Sequence, residues 1–403
     1  MSEPLVVVGN GMAAARLVED LASRALGRHA IAVIGEEPRL AYNRVLLSAL
    51  LANDVAPADI ELKPARWWRD RGITLRYGCR ASAIDPAART VTLADGHQLK
   101  FERLVLATGS HAIRLSIPGM ELPGVLTFRE LGDVAAISCG VRPGARAVVI
   151  GGGLLGLEAG YGLAKSGAKV ALVHLMDRLM ERQLDERAAA LLKRAVEAKG
   201  IAVLTGAETV RVVGTDRAEA IELRDGRTLA ADLVVVAVGV APKVELARAA
   251  GLRTGRGIMV DDRLETSATG IYAIGECAEH RGRCYGLVEP AHEQARVLAR
   301  RLSGEDVIYP GSVLATNLKV SGVDVFSAGD FLGAPGSEEI VLSDAGLGTY
   351  KRLVIAGGRL IGAVLFGDTA DGLWYLDLIR SGADIEPIRD DLAFGNAFVR
   401  RAA

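Results

Sequence analysis

A strand, glycine loop and helix occur in the same order twice in this sequence, and this repeat constrains the fold more than any other feature. The first copy begins with the apolar run Leu5–Val8 and continues into the loop Gly9–Ala14. The second begins with Ala147–Ile150 and continues into Gly151–Gly156, so the loops start 142 residues apart. Short apolar runs that end in glycine loops are typical of parallel strands buried on both faces of an α/β sheet.

The first loop fits the G-x-G-x-x-G/A fingerprint of dinucleotide binding, although a glycine-rich turn without a ligand is the alternative. Gly9 suits a tight turn, Gly11 leaves space for a pyrophosphate at the helix N-terminus, and Ala14 permits close packing of the helix on the strand. Glu36 follows the next predicted strand, where a carboxylate can accept hydrogen bonds from ribose hydroxyls. The loop residues assigned to this site are Gly9, Gly11, Met12, Ala13 and Ala14.

The second loop completes the full fingerprint with Gly151, Gly153 and Gly156. Each copy is followed by an apolar strand that ends in glycine, Leu104–Gly109 in the first and Val234–Gly239 in the second. The closing glycines lie 100 and 88 residues after the start of their loops. Two complete units of one design predict binding sites for two dinucleotides.

A further strand, Thr266–Glu276, lies outside both units and ends in Gly275 and Glu276. A carboxylate at this position can bind the ribityl hydroxyls of a flavin whose pyrophosphate lies on the first loop. A surface carboxylate after an ordinary turn would give the same pattern.

Composition argues against several other classes of protein. Lys and Arg number 48 against 49 Asp and Glu, and the absence of a basic block argues against nucleic-acid binding. No apolar run reaches the roughly 20 residues of a membrane helix, and the N-terminus lacks the pattern of a secretory signal, so the cytoplasm is the expected compartment. The four cysteines have no C-x-x-C spacing, which predicts reduced thiols and no metal site.

With these motifs the chain resembles the two-dinucleotide flavoprotein reductases of the pyridine nucleotide–disulfide oxidoreductase superfamily. The resemblance covers nearly the whole chain, and Glu276 stands where the family usually has an aspartate. It implies an α/β fold with two Rossmann-like dinucleotide-binding domains, as in glutathione reductase, and a small α+β C-terminal domain. It also implies bound FAD, with NADH or NADPH as the hydride donor.

The same resemblance suggests where the domains begin and end. We expect a split FAD-binding domain at 1–118 and 238–308, with an NAD(P)H-binding domain at 119–237 inserted between its halves. The C-terminal domain is expected at 309–395, and 396–403 is expected to be a loose tail. Its strands are predicted near 314–320, 324–328, 340–342, 350–355 and 359–366, followed by a helix near 369–381.

Within the superfamily the chain looks similar to the flavoprotein part of assimilatory NAD(P)H nitrite reductase large subunits and to electron-transfer subunits of assimilatory nitrate reductase. In those relatives an iron–sulfur segment follows the counterpart of Phe394-Gly395, whereas this chain ends eight residues later without a cysteine. We therefore expect no nitrite reduction by the chain alone. The segments that carry the similarity are Tyr42–Ser48, Val173–Asp185, Phe326–Phe331 and Leu365–Gly372.

Two departures narrow the chemistry further. Disulfide reductases carry a C-x4-C pair after the FAD loop, but residues 1–78 contain no cysteine, so disulfide exchange is excluded. Many oxygenase-coupled ferredoxin reductases have Leu-Ser-Lys where this chain has Leu47-Ser48-Ala49. The absent lysine weakens the ferredoxin reductase interpretation.

The resemblance assigns further residues to the two sites. Glu158 is similar to a family glutamate near the nicotinamide, and Glu289 and His292 lie at a predicted helix start that points at the flavin in relatives. Glu158 and His292 are the catalytic candidates, although each can instead be an ordinary helix residue. Arg44 is expected near the FAD phosphates or adenine. The other cofactor-binding assignments are Ala81, Ala107, Thr108, Gly109, Leu155, His174 and Gly239.

The nucleotide preference is predicted from the residues after the second strand of the NAD unit. His174 follows the strand in place of an acid, and it neither requires nor repels a 2′-phosphate. Arg178 could accept that phosphate, but no dedicated cluster of phosphate-binding residues is present, so we expect a modest preference for NADH. The charged run Arg178–Glu186 is predicted as a solvated helix face, with a partner-binding site as the alternative.

The predicted function is therefore an FAD-dependent NAD(P)H oxidoreductase that feeds a separate redox partner in nitrate or nitrite assimilation. The expected partner is an iron–sulfur or siroheme/molybdenum protein supplied in trans, with no nucleic acid or membrane involved. A rubredoxin- or ferredoxin-type reductase of another pathway is the first alternative. A flavoprotein whose NADH-driven state change controls an interaction, without turnover, is the second. The chain is expected to be a monomer or a homodimer.

Overall fold

The computed structural model describes residues 2–25, 27–320 and 322–399. They divide into two compact units, and the domain boundaries given above stay predictions. The first unit is built from the described residues of 1–46, 55–111 and 240–312, and the second from those of 47–54, 112–239 and 313–403.

The α-helices alternate with strands through most of the described chain. They are α1 (Met12–Arg24), α2 (Leu47–Leu51), α3 (Ala65–Arg69), α4 (Leu131–Gly140), α5 (Leu154–Lys165), α6 (Glu186–Glu197), α7 (Glu245–Ala249), α8 (Val288–Leu302) and α9 (Gly372–Ser381).

The strands are mostly short, and the longest belong to the C-terminal part. They are β1 (Glu3–Val8), β2 (His29–Gly35), β3 (Thr74–Tyr77), β4 (Ala81–Asp85), β5 (Thr90–Leu93), β6 (Gln98–Lys100), β7 (Arg103–Leu106), β8 (Ser110–Ala112), β9 (Val125–Thr127), β10 (Arg146–Ile150), β11 (Lys169–Val173), β12 (Ala202–Leu204), β13 (Thr209–Val213), β14 (Ala220–Leu223), β15 (Thr228–Ala230), β16 (Leu233–Val236), β17 (Val240–Pro242), β18 (Ile258–Val260), β19 (Ile271–Ala273), β20 (Ala278–His280), β21 (Arg283–Cys284), β22 (Ala315–Val320), β23 (Val323–Gly329), β24 (Glu338–Asp344), β25 (Thr349–Ala356) and β26 (Arg359–Phe366).

The first unit is organised around a parallel sheet with the strand order β19-β7-β1-β2-β3. Leu5 and Val7 of β1 pack against α1 and α8, while Val6 packs with residues of the small antiparallel sheet β4-β5-β6. Both faces of the parallel sheet are therefore covered, which explains why β1 is a continuous apolar run. Val8 lies level with Ile34 of β2 and with Leu106 of β7, so the three following loops meet at one edge.

The second unit repeats this design in the parallel sheet β12-β11-β10-β16-β9. Ile150 lies level with Val173 of β11 and with Val236 of β16, as Val8 does with its neighbours in the first unit. The antiparallel sheet β13-β14-β15 covers one face through buried residues such as Ile221. Parallel strands of one sheet with matched ends place the second glycine loop at the carboxyl edge, where α/β sheets bind ligands.

The C-terminal part of the second unit is an antiparallel sheet in the order β22-β23-β26-β25-β24, and α9 packs against it. Buried Tyr375 and Leu376 of α9 share a core with Leu353 and Leu365. The predicted strands are confirmed, and α9 begins three residues after its predicted start. The helix ends at Ser381 and is followed by Gly382, whose φ of 59° is the left-handed conformation that terminates many helices.

The prediction of a helix face over Arg178–Glu186 is wrong. The chain turns at Met180, which has a φ of 51°, and the helix α6 begins only at Glu186. Asp185 caps this helix because its carboxylate accepts a hydrogen bond from the Ala188 amide at 2.8 Å. Most of the charged run is therefore a loop that follows β11 rather than part of a helix.

Asp185 also connects α6 to the C-terminal sheet of the same unit. Its side chain is nearly fully buried and accepts a hydrogen bond from the Tyr350 hydroxyl at 2.7 Å. The Arg352 guanidinium lies 3.4 Å from the same carboxylate oxygen. Burial, together with the nearby Asp185 carboxylate, raises the pKa of the Tyr350 hydroxyl, which therefore stays protonated as a donor. Across residues 2–25, 27–320 and 322–399, no helix has the length and apolar character needed to cross a membrane.

Candidate nucleotide-binding sites

The first glycine loop makes a tight turn directly after β1. Gly9 has a φ of 121°, and a Cβ there would lie 2.0 Å from the Ala107 carbonyl oxygen, so only glycine fits. Gly11 is the N-cap of α1 and has no side chain that could occupy the amides of the first helical turn. A Cβ on Gly11 would meet none of the described heavy atoms within 4 Å, which leaves open space at the helix N-terminus.

The Gly275-Glu276 motif lies beside this same helix start. A Cβ on Gly275 would be 3.0 Å from the Ala13 side chain and 3.9 Å from that of Ala291 in α8. The Gly275 amide donates to the buried Gln294 side chain at 2.7 Å, which holds the turn against α8. The structure therefore brings together three pieces of sequence that were predicted to share one site.

The carboxylate of Glu276 is partly exposed and has one neighbour that the sequence did not indicate. The Ser110 hydroxyl donates to Glu276 Oε2 at 2.6 Å, and Ser110 itself is buried. This hydrogen bond fixes one carboxylate oxygen. The bond from Ser110 therefore orients the Glu276 carboxylate, and carboxylates bind the hydroxyls of sugar alcohols.

Glu36 and the strand end at Thr108-Gly109 are connected through Lys243. The Thr108 hydroxyl donates to the Lys243 carbonyl at 2.9 Å, and the Lys243 amide donates to the Gly109 carbonyl at the same distance. The Lys243 ammonium lies 3.3 Å from Glu36, whose other oxygen is 3.9 Å from Arg80. Glu36 is more than half exposed, so these ion pairs are weak and leave it accessible.

The other residues assigned to the first site are distributed around this edge. Ala81 begins β4, and Arg44 is paired with Glu37 and stacked on the Tyr42 ring. α8 begins at Val288, one residue before Glu289, which is exposed and bonded to Arg296 at 2.8 Å. His292 lies in the second turn, where burial lowers the pKa of its imidazole and favours the neutral form at pH 7.

The second loop repeats the geometry of the first, and its helix packs more closely against the loop. Gly151 has a φ of 123°, and a Cβ there would lie 2.2 Å from the Ala237 carbonyl oxygen. A Cβ on Gly156 would lie 1.9 Å from the Gly151 carbonyl oxygen, so helix α5 approaches its own loop too closely for alanine. Gly153 is the N-cap of α5, and a Cβ on it would meet none of the described heavy atoms within 4 Å. Leu155 lies in the first turn of α5, and Gly239, with a φ of 121°, follows β16.

His174 lies directly behind this loop rather than in open space. Its Nδ1 accepts a hydrogen bond from the Gly152 amide at 3.0 Å, which leaves Nε2 carrying the proton. Nε2 donates to Glu181 at 3.1 Å, and the ring is largely buried. Both ring nitrogens are thus occupied by the protein itself. Glu181 was not among the predicted site residues.

Glu158 lies on α5 with its carboxyl group largely buried. Burial raises the pKa of this carboxyl to about 7, although a hydrogen bond with the Ser48 hydroxyl partly offsets the effect. Ser48 belongs to α2, which packs against α5 near Gly162, where an added Cβ would be 3.0 Å from Leu51. Glu158 is therefore a carboxyl group that can hold or release a proton near neutral pH.

The residues present fit two bound dinucleotides. Each loop provides a helix start capped by glycine, and the first helical turns, Met12–Ala15 and Leu154–Leu157, contain no acidic side chain that would repel a pyrophosphate. Within the described part of the chain, His, Cys, Asp and Glu side chains form no group of three or more that could hold a metal ion. Cys79, Cys139, Cys277 and Cys284 are free thiols.

Sequence comparisons identify the family. A family profile described as pyridine nucleotide-disulphide oxidoreductase matches residues 3–295. A second profile, rubredoxin NAD+ reductase C-terminal domain, matches residues 315–383. The chain therefore belongs to the pyridine nucleotide–disulphide oxidoreductase family, and it is an FAD-dependent NAD(P)H oxidoreductase.

Individual relatives narrow the resemblance. The chain is 44% identical over 383 residues to a nitrite reductase [NAD(P)H] of Bacillus subtilis, covering 94% of this chain and 48% of the relative. It is 40% identical to the assimilatory nitrate reductase electron transfer subunit of the same organism, covering 94% of this chain and 50% of the relative. The chain thus spans about half the length of these curated relatives.

A solved structure extends the comparison to the whole fold. A ferredoxin reductase from Rhodopseudomonas palustris superposes with a TM-score of 0.87 at 30% identity. The match covers 95% of this chain and 98% of the reductase. The predicted α/β fold, with two dinucleotide-binding domains and a C-terminal domain, is confirmed.

Proposed function

We propose that this chain transfers hydride from NADH or NADPH to FAD and passes the electrons to a separate redox partner in nitrate or nitrite assimilation. The observation that carries the proposal is the pair of glycine-capped helix starts at Gly11 and Gly153, each with open space above it. Bound flavin accepts a hydride from nicotinamide and can release the electrons one at a time or in pairs.

In this proposal the first unit holds FAD. The N-terminal amides of α1 bind the pyrophosphate, Glu36 accepts hydrogen bonds from the adenosine ribose, and Glu276, oriented by Ser110, binds the ribityl chain. The start of α8, with Glu289 and neutral His292, lies beside the Gly275 turn. Its dipole would stabilise negative charge on the reduced ring.

The second unit holds the nicotinamide nucleotide in the same way. The amides at the start of α5 bind the pyrophosphate, and Glu158 contacts the nicotinamide side. Because the pKa of Glu158 is about 7, its charge changes over the physiological pH range. The nicotinamide side of the site would therefore be less negative at pH 6 than at pH 8.

The partner is inferred from the relatives. One of them is named an electron transfer subunit of nitrate reductase, and another a nitrite reductase. We infer that an iron–sulfur, siroheme or molybdenum protein accepts the electrons. The match of residues 315–383 to a rubredoxin reductase domain favours a second candidate, reduction of rubredoxin or ferredoxin.

Anaerobic rapid mixing tests the proposal. The FAD-loaded chain is reduced with one equivalent of NADH and then mixed with the cognate nitrate or nitrite reductase component, or with rubredoxin or ferredoxin as the comparison. Flavin reoxidation coupled to nitrate or nitrite reduction supports the proposal, whereas rapid reoxidation by rubredoxin or ferredoxin alone supports the second candidate. If NADH reduces the flavin but every carrier leaves it reduced, the proposed electron transfer to a partner fails and an NADH-responsive flavoprotein that controls an interaction is favoured.

A further inference from the structure

The second unit lacks a carboxylate at the position where NAD sites usually have one. The expected place is the carboxyl end of the second strand, where an acid accepts hydrogen bonds from the adenosine ribose. Here β11 ends at Val173 and is followed by His174. Because the ring of His174 is bonded to Gly152 on one side and to Glu181 on the other, it has no free nitrogen for a ribose hydroxyl.

The loop after β11 returns to the glycine loop and places Glu181 beside it. The Met180 amide donates to the Gly152 carbonyl at 3.0 Å, and the Met180 side chain is fully buried. Its left-handed φ of 51° is uncommon for methionine, and this turn brings the chain back. Glu181 is the next residue, and His174 Nε2 holds its carboxylate at 3.1 Å. Two separate hydrogen-bonded connections thus fix Glu181 relative to Gly152.

The hydrogen bond from His174 occupies only one oxygen of Glu181, Oε2. The other oxygen, Glu181 Oε1, lies 3.8 Å from Nε of the exposed Arg182, which is beyond hydrogen-bond distance. The Glu181 side chain is 22% exposed, so solvent and ligands can reach it. One oxygen is therefore positioned by His174, while the other can accept a hydrogen bond from a ligand.

We propose that Glu181 is the ribose-binding carboxylate of the nicotinamide nucleotide site and that it makes the site select NADH over NADPH. A carboxylate accepts hydrogen bonds from the free ribose hydroxyls of NADH, and it repels the 2′-phosphate of NADPH. His174 acts as a positioning residue that carries the carboxylate to the place where the acid is expected. The assignment rests on the proposed binding of a nicotinamide nucleotide to the second unit.

The opposing candidate in the same loop is Arg178. Its side chain is 26% exposed, and its guanidinium lies 3.3 Å from Asp177. A guanidinium released from Asp177 could bind a 2′-phosphate and favour NADPH. Glu181 and Arg178 therefore predict opposite preferences, which makes the assignment testable.

Isothermal titration calorimetry with ADP-ribose and 2′-phospho-ADP-ribose measures the preference without turnover. The FAD-loaded wild type is expected to bind ADP-ribose more tightly. In Glu181→Gln, which keeps an oxygen that can accept from His174, ADP-ribose should bind about tenfold more weakly, as expected for loss of a hydrogen bond to a charged group. The phosphorylated ligand should bind about tenfold more tightly, because the repelling charge is gone.

Glu186→Gln is the matched control, since it removes one negative charge from an exposed side chain at the start of α6 and leaves Asp177, the partner of Arg178, in place. An equal effect in both variants, or no effect of Glu181→Gln, overturns the assignment. So does a wild-type preference for 2′-phospho-ADP-ribose that is lost in Arg178→Ala. If neither ligand binds the wild type, the proposed nucleotide function of the second unit fails as well, whereas tight but unselective binding removes only the role of Glu181.

Discussion

The two glycine loops have the same backbone conformation, but they differ in which residue fills the gap between the loop and the end of the second strand. In the first unit a loop residue fills it, and in the second unit the residue after the strand does. In the first unit the second strand ends in Gly35, and the loop supplies Asn10, whose Cβ would be 2.7 Å from a Cβ on Gly35. In the second unit the loop supplies Gly152, and His174 after the strand fills the space, with its ring 2.6 Å from a Cβ on Gly152. One member of each pair must be glycine because the gap holds only one side chain.

This exchange changes where the carboxylate comes from. In the first unit Glu36 follows Gly35 directly and is accessible at the sheet edge. In the second unit His174 occupies the place of Gly35 and the next residue is Leu175, so the carboxylate comes instead from Glu181, seven residues after the histidine. The comparison teaches that when the fingerprint lacks its acid, a carboxylate from a following loop can take its place and be held there by one hydrogen bond.

The largest expected effects come from valine at the two N-cap glycines. Gly11→Val should weaken FAD binding by about 100-fold or more. Gly153→Val should keep FAD but weaken NADH binding by a similar factor. In each variant the valine side chain would occupy the space of the pyrophosphate, which accepts several charge-assisted hydrogen bonds from the helix amides. Flavin absorbance of the purified variants and calorimetry with NAD+ measure the two losses. Since these positions face open space, circular dichroism should be unchanged, and a Gly11→Val variant that retains FAD would contradict the site assignment.

A smaller difference is expected at the third fingerprint position. Gly156→Ala should destabilise the second unit by about 3 kcal/mol, since a Cβ would overlap the Gly151 carbonyl oxygen. The matched change in the first unit, Ala14→Gly, should reduce the free energy of unfolding by only about 1 kcal/mol through lower helix propensity. Urea unfolding followed by circular dichroism measures both, and equal effects would show that the loops are not packed differently.

The residues two positions after Ala14 and Gly156 differ in charge between the units. This difference predicts that stability depends on pH through the second unit. The first unit has Arg16, paired with Asp20 at 3.0 Å, whereas the second has buried Glu158. The pKa of Glu158 is raised from 4.5 to about 7, so the folded state binds the proton more tightly and the free energy of unfolding falls as pH rises through this window. The full penalty, about 3 kcal/mol, applies above pH 7 and is absent below pH 4.5.

Glu158→Gln should therefore be more stable than the wild type at pH 8 and closer to it at pH 5. Thermal unfolding at the two pH values gives the comparison. Arg16→Gln is the control, because the loss of a partly exposed ion pair changes stability by about 0.5 kcal/mol without this pH dependence. A stability difference for Glu158→Gln that stays constant between pH 5 and pH 8 would count against the buried-carboxyl interpretation.

The smallest expected effect is the energetic coupling between the two residues that face each other across the gap between loop and second strand, Gly152 and His174 in the second unit and Asn10 and Gly35 in the first. Gly152 has no left-handed φ, so Gly152→Ala is opposed mainly by the side chains of His174 and Leu179. The same alanine should be better tolerated in a His174→Gly background, with a coupling energy of about 1 kcal/mol. Gly35→Ala with Asn10→Gly forms the matched cycle in the first unit. Additive changes in both cycles, measured by urea unfolding, would mean that these side chains do not share a gap.

Much of this organisation could be predicted from the sequence. Gly9 was expected at a tight turn and Gly151 begins the second copy of the same fingerprint, and both have the positive φ that such turns need. The strand pattern predicted the C-terminal sheet to within a few residues because alternating apolar runs set strand positions locally. The sequence also grouped the Gly275-Glu276 turn with the first loop, and the proximity of Ala13 to Gly275 agrees with that grouping.

The contacts that could not be predicted depend on backbone turns and on distant pairs. The contact of His174 with Glu181 requires the left-handed turn at Met180, which no residue type signals. The hydrogen bond of Tyr350 to Asp185 joins residues 165 positions apart, and it is fixed only by tertiary packing. Charge patterning suggested a helix where the chain forms this loop, since alternating charges are equally suited to either.

Anaerobic titration of the purified chain with NADH tests the central claim, that one loop binds FAD and the other a nicotinamide nucleotide, most directly. The account predicts a yellow protein with about one FAD per chain, consistent with one flavin site, and full bleaching by one equivalent of NADH. The Gly153→Val variant should remain yellow and unbleached. A folded chain that cannot be reconstituted with FAD, or a Gly153→Val variant that NADH bleaches as readily as the wild type, would contradict the account.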